Sequence, residues 1–447
     1  MRANLSTLFI LITSATLSAQ TPNTTPQLSP EAAYNQAVTP VEITHRSIAN
    51  WSDTEIAALG IAVIQAKQAC LDRAAITYTG DDLISYAKLC AFGQQWPATL
   101  TAATAYIKSI DPQKPQLAQA YAYQIQAHLN LKDEQAALAH SLDMLQAVPY
   151  TPLTDEVITA SINYLQIAFP YDALVLQNIR QPILLRLLRA SQTQTPLPPG
   201  TPAPVPPHTL FEHALVAAAL QQYINQPQAA ASVVTNLDAA TPANLPSDEA
   251  NLIATARRQY ALLGTHLPPI TVSAALATPT AAARINPDFG SSTVLLLFPP
   301  WCAQCIRISQ AIAPTLMRLH ENNVHIYGLL ADNPPPPPPA VPKPTPSNHS
   351  RRPTQTQQET LTTLDKPEPP SAVDLLRGTP SLVVAPSTLT DFAAADFPFL
   401  IATDHDGIIR LLLPAVPENA FVIGGAIDQI TNQIAREWPA PSTKPAQ

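Results

Sequence analysis

Charge is scarce in this chain: only 13% of its 447 residues are Asp, Glu, Lys or Arg, and the net balance is −8. No basic cluster interrupts that balance, so nothing gives reason to invoke nucleic acid as a partner, and little electrostatic steering of any ligand is expected. Outside the N-terminal stretch no apolar run is long enough to cross a bilayer. Cysteine is sparse too, with four residues in all, so the positions those four occupy carry information.

The N-terminus reads as an export signal. Arg2 precedes the apolar stretch Leu5 to Leu17, Ser18-Ala19 offers small residues for cleavage, and a polar "QTPNTTPQ" follows. We expect a signal peptide over residues 1–19 and a flexible segment over 20–29, with an uncleaved anchor as the alternative. No cysteine follows the apolar core, so a lipid anchor is not indicated, and cleavage would leave no stable membrane span. The expected location is periplasmic or extracellular.

The chemistry concentrates at Trp301-Cys302-Ala303-Gln304-Cys305, directly after the apolar run Thr293 to Phe298. That run has the length and continuity of a strand buried on both faces. Ile308, Ile312, Leu316 and Leu319 then recur at helical spacing, and Val324 to Leu330 reads as a second strand. A thiol at a strand-to-helix junction meets the unpaired first-turn amides and the positive end of the helix dipole, both of which favour thiolate. Cys302 is therefore the expected nucleophile. Cys305, one turn later on the same face, is placed to resolve a mixed disulfide.

These residues resemble the thioredoxin superfamily, in particular its exported TlpA-like members, over about residues 267–438. The segment "FPFLIATDHDGIIRLLL" carries the rest of the likeness. The resemblance implies a cis-proline at Pro398, a strand Phe399 to Ala402, an Asp406-Gly407 turn, a partner strand Ile408 to Leu412, and a C-terminal helix with Ile427, Ile430 and Ile434 on one face. It also implies that Trp301, Phe397 and Pro398 support the active site, and that the protein exchanges disulfides with protein clients and with a redox donor or acceptor not identified by the sequence. Pro380, in "RGTPSLVV", is a rival for the cis position, with Ser381 to Val384 as an extra strand.

The likeness has departures. Leu296 stands where many members have a buried acid, so no proton acceptor for Cys305 is evident. Gln310 replaces a helix-kinking proline, with Pro314 further on, and the Ala303-Gln304 pair leaves the redox poise open. A zinc site built from Cys302, Cys305, His320 and His325 fails on geometry, because a helix over 303–321 would carry His320 roughly 20 Å from Cys305. Asp404-His405-Asp406-Gly407 begins like a calcium loop but lacks the closing acid, and reads as a solvated hairpin turn. No metal and no cofactor beyond the Cys302–Cys305 couple is expected.

Upstream, residues from Pro30 to Leu263 are almost free of strand signals and rich in Ala, Leu and Gln at helical period. Superposing Ala98 on Ala136 also aligns Leu100 with Leu138, an offset of 38 that resembles a degenerate tetratricopeptide repeat. A generic helical domain remains the alternative. Cys70 and Cys90 lie equally far from Gly80, the expected turn between two antiparallel helices, and form a structural disulfide candidate.

The expected architecture is multidomain: an all-α tetratricopeptide-like domain over 30–190, a proline-rich linker over 191–208, a helical extension over 209–264, and an α/β thioredoxin-like domain over 267–438. A disordered proline-rich insertion over 333–372 and a tail over 439–447 complete it. The expected function is an exported thiol-disulfide oxidoreductase, a reductase in preference to an oxidase or isomerase. The alternative is a protein-binding scaffold with little or no catalysis.

Overall fold

The computed structural model describes residues 27–44, 51–109, 116–191, 204–241, 247–275, 284–285, 292–299, 302, 305, 314, 316–321, 324–331, 381–394, 397–414 and 424–428. The signal peptide, the insertion over 333–372 and the C-terminal tail lie outside these residues. The chain divides into two compact units, Met1–Ser109 and Ile110–Gln447.

Among the described residues the first unit holds the α-helices α1 (Pro30–Thr44), α2 (Asp53–Leu71), α3 (Asp81–Phe92) and α4 (Trp96–Ser109). Ser52 opens α2 with a capping box, its hydroxyl accepting from the Glu55 amide while the Glu55 carboxylate accepts from the Ser52 amide. Helices α2 and α3 are held by a Cys70–Cys90 disulfide, with both residues fully buried. The helices touch backbone to backbone nearby. A Cβ added at Gly93 would lie 2.6 Å from the Lys67 amide nitrogen and 2.7 Å from its Cα.

The second unit begins with α5 (Gln116–Leu131), α6 (Glu134–Ala147), α7 (Pro152–Ala168), α8 (Pro170–Ala190), α9 (Pro207–Tyr223), α10 (Pro227–Ala240) and α11 (Ser247–Leu262). Four prolines favour these helices, because Pro152, Pro170, Pro207 and Pro227 occupy the first turn of α7 to α10, where an amide hydrogen has no intrahelical partner; Pro182, by contrast, stands inside α8.

One connection recurs. Gln94, Lys132 and Asn225 each adopt a left-handed backbone with φ of 56°, 60° and 57°. The next amide in each case donates five residues back, Gln95 to Cys90, Asp133 to His128 and Gln226 to Gln221. This is the Schellman ending of a helix, and it joins α3 to α4, α5 to α6 and α9 to α10.

A buried polar knot fastens α7, α8 and α9. The wholly buried Arg180 guanidinium donates from Nε to Tyr150 Oη at 2.6 Å, and from Nη2 to Asp155 Oδ1 at 2.6 Å and Thr159 Oγ1 at 2.7 Å. Tyr150 Oη donates to the same Asp155 oxygen at 2.5 Å, and His213 Nδ1 lies 3.0 Å from it. His213 Nδ1 is also 2.9 Å from Arg180 Nη2, but that nitrogen already has two oxygen acceptors, so donation from His213 to Asp155 satisfies more groups. Burial alone would raise the Asp155 carboxyl, yet hydrogen bonds from His213 and Tyr150 and the Arg180 charge outweigh it and hold the group below the ordinary carboxylate range.

The sheet follows, with β1 (Ile270–Ala275), β2 (Arg284–Ile285), β3 (Thr293–Phe298), β4 (His325–Ala331), β5 (Ser381–Val384), β6 (Phe399–Thr403) and β7 (Ile409–Pro414), and a short α12 (Ser387–Asp391) after β5. Among the described residues the strand order is β2-β1-β5-β4-β3-β6-β7. β3, β4 and β5 run parallel, while β6 opposes β3 and β7 opposes β6.

The sheet and the helices before it share a core. Leu184 and Leu188 of α8, Phe211 and Ala214 of α9 and Leu295, Ile401 and Leu412 of the sheet belong to one buried cluster. Residues 264–267 pair with the outer side of β7, Gly264 donating to Ile409, Ile409 to Thr265 and Leu267 to Gly407. Further along that strand the Gln222 side-chain oxygen accepts from the Leu412 amide at 2.7 Å.

The architecture is thus a helical region followed by a mixed α/β sheet. The strand expected at Val324 to Leu330 is His325–Ala331, and that expected at Ile408 to Leu412 is Ile409–Pro414. The β1–β2 pair has no counterpart in the sequence reading.

Two glycine substitutions are expected to act in opposite directions in urea denaturation. Gly93→Ala forces the α2 and α3 backbones apart and costs about 1–3 kcal/mol. Gly60→Ala meets nothing within 4 Å in the middle of α2 and stabilises by about 0.5–1 kcal/mol.

The Arg180 knot makes stability depend on pH with a definite sign. A carboxyl whose folded pKa is depressed contributes stability above its unfolded pKa and loses it as pH falls through the folded value. Asp155→Asn is expected to cost about 3–5 kcal/mol at neutral pH by leaving the Arg180 charge buried without its counter-ion. Its deficit relative to the natural protein should shrink once pH drops below about 4. Denaturation midpoints measured from pH 7 to pH 3 test both statements.

Candidate functional site

β3 is buried along its whole length and hydrogen-bonded on both sides, to β4 from Thr293 opposite His325 through Phe298 opposite Leu330, and to β6 from Thr293 opposite Thr403 through Leu297 opposite Phe399. Its carboxyl end therefore has a fixed position, and Cys302 follows four residues beyond Phe298. The Cys302 amide donates to the Pro299 carbonyl at 3.2 Å, and the Cys305 amide to the Cys302 carbonyl at 3.1 Å. Those two bonds form the tight turn in which Cys305 is already helical.

Cys302 and Cys305 form a disulfide with a Cα–Cα separation of 5.3 Å. Cys302 is 6% exposed and Cys305 is fully buried, so an incoming sulfur can meet only Cys302 directly. Helical residues 316–321 continue the segment, with Leu316 and Leu319 buried as their spacing required. Arg318 of that helix pairs with Asp428 at 2.8 Å, and Ile427 beside Asp428 is buried.

The register of β3 with β6 brings a second segment to the same end of the sheet. Leu297 faces Phe399, so Pro398 comes level with Phe298 and Phe397 lies past it, at the carboxyl end of β3 that the cysteines follow. The Phe397–Pro398 peptide bond is cis. Phe397 packs, half-buried, against the shared core. The parallel strands β3, β4 and β5 all end here, the end of an α/β sheet where ligands usually bind.

Leu296 is fully buried in the middle of β3, so this strand offers no acid to the cysteines. Trp301, Gln310 and Pro380, and Ile430 and Ile434 of the expected C-terminal helix, lie outside the described residues. Cys70 and Cys90 belong to the first unit and its α2–α3 disulfide.

Asp404, His405 and Asp406 place one potential ligand atom each within 4.8 Å of one another. Asp404 is already committed there. Its Oδ1 accepts from the Asp406 and Ile408 amides at 3.0 and 2.9 Å, and its Oδ2 from Arg410 Nε at 2.6 Å. The group is the β6–β7 turn, and it differs from the solvated turn expected from sequence in that Asp404 and His405 are buried. The carboxylate replaces a missing strand partner for the turn amides.

Sequence reasoning did not find the Arg180 knot. Asp155, Arg180 and His213 stand on three different helices, and no local spacing links them. The Gln222 contact with β7 has the same character. Among the described residues no helix is long and apolar enough to cross a membrane. No protein-family model, no curated protein and no solved structure matches the chain.

Proposed function

We propose that the protein is an exported thiol-disulfide oxidoreductase acting on protein clients, with Cys302 as nucleophile and Cys305 as resolving thiol. The observation that carries this reading is the closed Cys302–Cys305 disulfide at the carboxyl end of β3, with the slightly accessible cysteine, 6% exposed, first in sequence and the fully buried one second. The arrangement of β3 and β4 in parallel, with β6 antiparallel on the other side of β3 and Pro398 at its start, supports a thioredoxin-like domain. Two disulfides support an oxidising compartment outside the cytoplasm.

In the reductase direction the Cys302 thiolate attacks one sulfur of a client disulfide, forming a mixed disulfide and releasing the other client sulfur as thiolate. The Cys305 thiolate then attacks Cys302 Sγ. The client leaves as a dithiol, having gained two electrons and two protons from the Cys302/Cys305 dithiol, which is left as the Cys302–Cys305 disulfide. A donor dithiol must reduce it for another cycle. Backbone flanking Pro398 can pair with an extended client segment beside the sulfurs, since proline itself presents no amide hydrogen there.

The paired helices joined by Schellman turns are similar to a tetratricopeptide-like array, and their proposed role is to position a client or redox partner. The alternative is a binding scaffold with little turnover, which the apolar Leu296 favours because it gives Cys305 no proton acceptor on β3.

A glutathione redox titration, read by thiol trapping and mass spectrometry for each cysteine pair, distinguishes these readings. A reversible Cys302–Cys305 couple at or below about −230 mV is expected of the reductase, and one near about −120 mV would identify an oxidase. Absence of a reversible couple would leave the scaffold. The fully buried Cys70–Cys90 pair should stay oxidised through the same titration unless the protein is unfolded.

Substitution separates the roles of the two sulfurs. Cys305→Ser is expected to accumulate mixed disulfides with clients through Cys302, whereas Cys302→Ser should trap none and lose turnover. Equal trapping by the two variants would overturn the assigned order of attack.

A further inference from the structure

The α5–α6 hairpin carries a pair of imidazoles that the redox reading does not use. His128, in the last turn of α5, and His140, in α6, stack with ring centroids 5.1 Å apart and planes inclined by 29°. Each ring is held by a carboxylate at the same nitrogen: His128 Nδ1 lies 3.1 Å from Asp133 Oδ2, and His140 Nδ1 lies 3.3 Å from Asp143 Oδ2. Asp133 is itself fixed, because its other oxygen accepts from the Ala136 amide as the N-cap of α6.

A carboxylate at Nδ1 selects the tautomer protonated there and leaves the lone pair on Nε2, which is how metal-ligating histidines are oriented. Among the described residues neither Nε2 has a protein hydrogen bond, and neither belongs to the buried polar atoms lacking a partner, which leaves both open to solvent. The hairpin thus presents two basic nitrogens from adjacent helices. We propose that His128 and His140 form a binding site for a borderline divalent transition-metal ion, Cu²⁺, Ni²⁺ or Zn²⁺, coordinated through both Nε2 atoms and completed by solvent.

Two nitrogens bound to one tetrahedral ion stand about 3.3 Å apart. Rings with centroids at 5.1 Å reach that spacing by tilting their Nε2 edges together, a side-chain motion that leaves the helices in place. The carboxylates serve as orienting partners: among the described residues they do not join the two imidazoles in a compact three-ligand group. Softness and the affinity order of N-donor sites make Cu²⁺ the strongest probe.

The test is a Cu²⁺ titration of the full chain with both disulfides closed, which keeps the cysteines from acting as ligands, followed calorimetrically and by electron paramagnetic resonance. The expected result is one ion with two coordinated imidazoles. His140→Ala, at a partly exposed helix position, should weaken binding at least about tenfold and reduce the imidazole signal, and Asp143→Asn should weaken it about tenfold. His208→Ala, a solvent-exposed control on α9, should change nothing. Binding that is absent at 0.1 mM Cu²⁺, roughly the upper end of a specific site, or that is the same in His140→Ala as in the natural protein, overturns the proposal.

Discussion

The burial and two-sided pairing of β3 is the constraint on which the rest of the second unit depends. Six consecutive residues, Thr293 to Phe298, are buried, and each large apolar side chain among them contributes roughly 1.5–3 kcal/mol by its burial. A slip of one residue against β4 or β6 would break two ladders at once. The carboxyl end of the strand is therefore fixed, and with it the turn that closes the Cys302–Cys305 disulfide. The same registration determines where β6 starts, so Pro398 and the cysteines reach one end of the sheet through backbone pairing that neither segment could specify alone.

The parts of this architecture visible in the sequence are those written in local periodicity. The continuous apolar run before Cys302, the helical spacing of Leu316 and Leu319, and the strands around Asp406-Gly407 each announce themselves within a dozen residues. The equal spacing of Cys70 and Cys90 about Gly80 was legible for the same reason, since helix rise converts sequence distance directly into height. The Ala98–Ala136 offset was legible because those residues stand at the same place in α4 and α6, three residues into each helix.

What the sequence concealed is of two kinds. Long-range polar contacts have no periodicity: Arg180 reaches Asp155 across 25 residues, and Gln222 reaches Leu412 across 190. The second kind is conformational. Glycine usually advertises a left-handed helix ending, but here the position falls to Gln94, Lys132 and Asn225, so the shared hairpin connection is invisible in composition. The β1–β2 pair escaped because β2 is only two residues long, too short for any alternation to register.

The contact of α9 and residues 264–267 with β7 has a consequence for solubility. An edge strand left bare offers a row of free amides and carbonyls to any other chain, which is the usual route by which sheets join intermolecularly. Here Gly264, Thr265 and Leu267 take up the groups around Ile409, and Gln222 accepts from Leu412 where that pairing stops. A chain with few surface charges has little electrostatic repulsion to keep copies apart, so the helical segment does for this sheet what charged edge residues do elsewhere: it removes the template on which a second molecule could assemble.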